Sequence, residues 1–180
     1  MKVFGLLASY LPLREEWSRI VASYGLVPEP DGVNATWHEV EFCKRQQPSP
    51  TKEDILQAII ADIDACTDEK ILNGYQWTVL HGDHAGQTVS VWLSAENQNN
   101  FKAKHDAALA YPQQVPFPMR YKIGQDEQKH AIYEEFQNIG ELATFYLGGV
   151  AYIERCVDEG WQIKDEVLSR GEEYRKEEQP

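Results

Sequence analysis

GYQWTVL (residues 74–80) and TVSVWL (88–93) stand on either side of HGDHAGQ (81–87). Both runs are rich in β-branched and aromatic residues, and the polar segment between them holds two glycines, so they predict a β-hairpin. Ser94 then stands as the N-cap of a helix over about 95–110, with Glu96 well placed against the helix dipole. PQQVPFP (112–118) breaks that helix, and a second hairpin follows. Its strands fall at 119–123 and 130–136, joined by the polar GQDEQK turn. Asn138 with Glu141 caps the strongest helical pattern in the chain, whose face is Ile139, Leu142, Tyr146, Gly149 or Val150, Ile153 and Val157. Gly160 is placed to end it in a left-handed residue, and Trp161 to fold back over it. WQIKDEVLSRGEEYRKEEQ predicts a last acidic helical stretch that frays.

Working toward the N-terminus, Thr51-Lys52-Glu53-Asp54 fits a capping box. It opens a helix with Ile55, Ile59, Ile63 and Cys66 at i, i+4 spacing, fraying through residues 67–70. TWHEVEFCK (36–44) alternates: Trp37, Glu39, Glu41 and Cys43 fall on one side, His38, Val40 and Phe42 on the other, as in a half-buried strand. Residues 27–35 hold two prolines and an Asp-Gly pair and predict a loop. Glu15, Trp17, Ile20, Val21 and Tyr24 give a short helical face after Pro12, with Gly25 as its stop. Residues 2–11 predict a first strand rather than a signal peptide, because Pro12 and Arg14 cut the apolar run short.

This order predicts an α+β fold, with antiparallel hairpins alternating with helices and the sheet packed on one side by helices. The expected division is a small β-α-β module over 1–46, an α+β domain over 51–168 with a helix and two hairpin-plus-helix units, and an acidic tail over 169–180.

Composition limits the function. A chain of 180 residues with 42% hydrophobic residues folds without staples and is not disordered. Its net charge of −12 repels phosphate backbones, which argues against nucleic acid or an anionic membrane as partner. No segment reaches the roughly 18–20 apolar residues of a membrane span. Cys43, Cys66 and Cys156 are odd in number and widely spaced and read as small buried hydrophobes, with Cys66 and Cys156 on apolar helical faces where burial makes a thiol inert.

His81, Asp83 and His84 form the one local cluster with metal-ligand or acid–base potential, but their spacing matches no closed-site motif and no metal is assigned. No nucleophile elbow and no phosphate loop is present; Gly148-Gly149 reads as a point of close helix packing. No catalytic residue and no cofactor is therefore expected. Trp77, Trp92 and Trp161 are candidate binding aromatics, with His81, Asp83 and His84 on the hairpin loop as the accompanying contact element.

TDEKILNGYQW, VWLSAENQNNFKAKHDAA, VPFPMRYKIG and GELATFYLGGVAYIERCVDEGWQIKDEV occur in that order. They resemble a family of uncharacterised proteins of gut-bacterial phages and prophages, and more weakly a domain of unknown function attached to phage tail proteins. The likeness spans about residues 34–168. It implies a non-enzymatic structural or interaction protein of a phage particle, tail- or virion-associated, located in the virion or in the host cytoplasm during assembly. Its implied partners are other phage structural or tail proteins, with a homo-oligomer as one form. A tail-fibre assembly chaperone, a small glycan- or host-surface-binding module and a metal-dependent hydrolase centred on His81, Asp83 and His84 are the other readings.

Overall fold

The fold is α+β. The structure, a computed structural model, describes residues 1–45 and 48–175. They form two compact units: Met1–Cys66 with the residues from Glu159 on, and Thr67–Asp158. Two helices, α1 (Lys52–Gly74) and α3 (Ile139–Ser169), contribute residues to both. No helix among the described residues is long and apolar enough to cross a membrane.

In the first unit, β1 (Lys2–Leu6), β2 (Leu13–Glu15), β3 (Arg19–Pro28) and β4 (Asn34–Cys43) make one antiparallel sheet in the order β1-β4-β3-β2. The β-α-β module expected here is therefore all β, apart from a 3-10 turn at Leu7–Ser9. Residues 12–24 are not helical. Ile20 through Tyr24 are all buried, Ser23 included, so β3 shows no alternation of burial, a pattern that periodicity cannot separate from a helix. The 29–33 loop turns on Asp31, whose Oδ1 accepts from the Val33 and Asn34 amides at 2.8 and 2.9 Å, while Gly32 takes φ +66°.

One sheet face receives helices. Ala22 and Tyr24, with Leu13, Val40 and Phe42 beside them, pack on Ile55, Ile59 and Ile63 of α1 and on Ile163 and Val167 of α3. The capping box at the start of α1 forms, with the Thr51 amide donating to Asp54 Oδ2 at 2.9 Å and the Asp54 amide to Thr51 Oγ1 at 3.1 Å. The opposite face holds Arg14, which donates to both Glu39 oxygens at 2.8 and 3.0 Å, and Trp37 Nε1, which donates to Glu39 Oε1 at 2.7 Å. Burial pushes the Glu39 carboxyl up, but these bonds outweigh it and hold it below the usual carboxylate range. Gly5 is required here, since a Cβ would stand 2.7 Å from the Trp37 ring.

The acidic tail is not a free appendage at its start. Gly171–Tyr174 form a 3-10 turn, and Tyr174 is buried against the same helix-covered sheet face, its hydroxyl donating to the Ser23 carbonyl at 3.0 Å. Residues 176–180 lie outside the described residues.

In the second unit, hairpin β5 (Tyr75–Thr78)/β6 (Thr88–Val91) leads into α2 (Ala95–Ala110), and hairpin β7 (Met119–Gln125)/β8 (Ala131–Phe136) leads into α3. Phe145 sits in the core with its ring 5.0 Å from Phe101, 5.1 Å from Trp77 and 5.3 Å from Phe136. The Tyr75 hydroxyl donates to the Phe145 carbonyl at 3.0 Å, and a Cβ on Gly148 would stand 2.5 Å from that hydroxyl. Gly148 is thus a point of close packing, as its place in the helix suggested. Gly160 does not end α3. Ile163 and Val167 continue the apolar stripe beyond it, so a left-handed stop would strip the sheet of its cover. Trp161 therefore stays helical and 59% exposed instead of folding back.

Candidate functional site

Trp92 lies between the end of β6 and the Ser94 N-cap and is 60% exposed. Two amides hold its backbone in place: Asn97 Nδ2 donates to the Trp92 carbonyl at 2.8 Å and Gln98 Nε2 to the Leu93 carbonyl at 2.7 Å. Ser94 Oγ accepts from the Asn97 amide at 3.3 Å. The residues SAENQ therefore cap α2 and pin the link that carries the indole. Trp92 forms one wall of a groove of ≈ 560 Å³, with Asn100, Arg120, Tyr121 and Gln125 among its lining. A Cβ on Gly124 would meet the Ser90 carbonyl at 3.2 Å, so glycine lets the two hairpins approach where both residues line the groove. The Arg120 guanidinium lies 4.0 Å over the Tyr133 ring and its Nε stands 3.8 Å from Glu135 Oε1, and the two contacts orient it.

The other aromatics behave differently. Trp77 is half-buried, and its Nε1 donates to Glu134 Oε2 at 2.7 Å, so it belongs to the core rather than to a docking face. Glu134 is fully buried, yet its carboxylate accepts four N–H groups: Trp77 Nε1 and the amides of Leu80, His81 and Glu135, at 2.7–3.1 Å. Trp161 belongs to the first unit, not to the unit that holds Trp92.

The 81–87 loop is closed on itself, with Gly82 and Gly86 at positive φ and the Gly86 amide donating to the Val79 carbonyl at 2.8 Å. His81 Nε2 lies 3.1 Å from Glu141 Oε2, and His84 Nδ1 lies 3.2 Å from Gln87 Oε1, while Asp83 is exposed. Among the described residues, His81, Asp83 and His84 do not converge as a metal-ligating trio.

A different cluster does converge, in the first unit. His38, Asp62 and Cys66 each offer one ligand atom, all within 4.8 Å of one another. Cys66 Sγ lies 3.7 Å from His38 Nδ1. The Tyr24 hydroxyl donates to Asp62 Oδ2 at 2.6 Å, and its ring lies 5.4 Å from the imidazole. The Met1 amino group also stands 3.7 Å from Asp62 Oδ2. Burial, the largest influence, lowers the His38 pKa from its ordinary value, with Asp62 opposing it. Cysteine burial is thus not uniform: Cys156 is buried, but Cys66 is half-buried and Cys43, at the end of β4 on the face opposite α1, is exposed. Asp62 and Cys66 are one helical turn apart and visibly share a face of α1. Their partner His38 comes from a strand that only the tertiary fold brings to them.

Comparison with protein-family models, with curated proteins and with solved structures finds no match for this chain.

Proposed function

We propose that the protein is a non-enzymatic interaction protein of a phage or prophage particle, tail- or virion-associated, that docks a partner protein through the Trp92 groove. One observation supports this above the rest: an indole 60% exposed stands on the wall of a groove whose backbone Asn97 and Gln98 pin. Trp and Arg dominate interface energetics when a packed frame holds them, and Arg120 lines the same groove. The phage context rests on sequence phrases, and two of these, VWLSAENQNNF and VPFPMRYKIG, themselves supply Trp92, Asn97, Asn100 and Arg120. Partners under this reading are other phage structural or tail proteins or a second copy of the chain, met in the virion or in host cytoplasm during assembly. A net charge of −12 favours a partner whose wider face is basic.

The test is light scattering after size-exclusion chromatography, alone and with the products of neighbouring genes. A stable complex that Trp92→Ala weakens by about 30-fold or more, roughly 2 kcal/mol, supports the reading. The variant should melt with the wild type, because an exposed side chain is removed. A strict monomer that ignores every neighbour overturns the reading.

An exposed indole, amides and a guanidinium in one groove also suit a sugar, which stacks on the ring and bonds to the polar groups. Under that second reading, soluble glycans quench Trp92 fluorescence, and Trp92→Ala abolishes the quenching.

A further inference from the structure

We propose that Cys66, His38 and Asp62 form a binding site for a divalent transition metal of the zinc class, separate from the Trp92 groove. A thiolate, an imidazole and a carboxylate are the donors that such an ion takes. Their geometry fits as well as their chemistry. In a tetrahedral zinc site, bond lengths of about 2.3 Å to sulfur and about 2.0 Å to nitrogen put those two donors about 3.5 Å apart. The Cys66 Sγ to His38 Nδ1 separation is 3.7 Å. The third donor, from Asp62, lies within 4.8 Å of both.

The scaffold suits the role. Asp62 and Cys66 are placed one turn apart on α1, and His38 projects from β4 on the sheet face that α1 covers. Tyr24 is the register partner of His38 on the adjacent strand, and its hydroxyl bonds Asp62 Oδ2 at 2.6 Å. Outer-shell partners of this kind fix the orientation of a ligating carboxylate. A carboxylate offers about four acceptor positions, so the Tyr24 bond leaves capacity for an ion. Three protein donors, all half-buried, leave a fourth coordination position for water or an incoming group.

The proposal is tested on the full chain, stripped with a chelator and titrated with Zn²⁺ alone. Metal content after dialysis is measured by elemental analysis and affinity by calorimetry. Stoichiometric zinc is expected, with affinity falling by more than about 100-fold in Cys66→Ser and in His38→Gln. Tyr24→Phe acts as a positioning change and weakens binding by about 10- to 100-fold. Cys43→Ser, which removes an exposed thiol, binds as the wild type does. Co²⁺ on the unmutated chain should show a thiolate-to-metal charge-transfer band, a readout that does not depend on any variant folding. The proposal is overturned by a wild-type chain that takes up no stoichiometric zinc, by a folded Cys66→Ser protein that keeps it, or by a cobalt complex without the thiolate band.

Discussion

Glu134 is a completely buried carboxylate whose partners are the N–H groups of its own fold. Its two oxygens accept Trp77 Nε1 and three backbone amides, two of which, from Leu80 and His81, tie that segment to β8. Glu134→Gln replaces an acceptor with a donor that faces other donors. It should cost about 2–4 kcal/mol, read as a lowered urea midpoint with a changed near-ultraviolet signal from Trp77. Unchanged stability would mean the carboxylate is not what holds the loop. Trp77 lies on the first strand of a hairpin and Trp92 just past its second, and both looked like binding candidates. The sequence could not separate them because what distinguishes them is a buried acid from another hairpin in one case and open space in the other. Cys66 was hidden for a related reason. An apolar helical stripe places a cysteine toward a core, but not beside a histidine.

At the scale of elements, local chemistry was legible wherever it acts within a few residues. The Ser94 cap and the boxes at Thr51/Asp54 and Asn138/Glu141 are all formed. Asn138→Ala should cost α3 about 1 kcal/mol, measurable by denaturant unfolding. Glu141 adds a pH dependence. The Gln137 amide, first, and then His81 hold its carboxyl below the usual glutamate range, with burial opposing. A folded-state pKa below the unfolded one gives stability that is full above the unfolded value and is lost as pH falls through the folded value. The stability difference between wild type and Glu141→Gln should therefore shrink as the pH drops from neutral to below the ordinary glutamate range. A difference constant across that range would remove Glu141 as its source. What was not legible is β3, where burial on both faces erases the alternation that marks a strand. The passage of α3 through Gly160 was hidden too, because it depends on a sheet waiting to be covered.

At the scale of the molecule, the first unit is assembled from two distant parts of the chain, the second from one continuous part. Tyr174 is where that separation is most exposed to test. It is buried beside Ala22, Tyr24 and Ile55, more than a hundred residues away in sequence. Tyr174→Ala should destabilise the first unit by about 3–4 kcal/mol, seen as earlier loss of amide-exchange protection in β3 than in β8. Equal loss in both units would mean that they unfold together. The discontinuity also sets an order of events during synthesis. The sheet is made well before Ile163, Val167 and Tyr174, which share with α1 the cover of its apolar face. The second unit has all its parts by then. Until Ile163 and Val167 are made, that face has only α1 for cover, and a ribosome that stalls before Ile163 releases a complete second unit attached to a half-covered sheet.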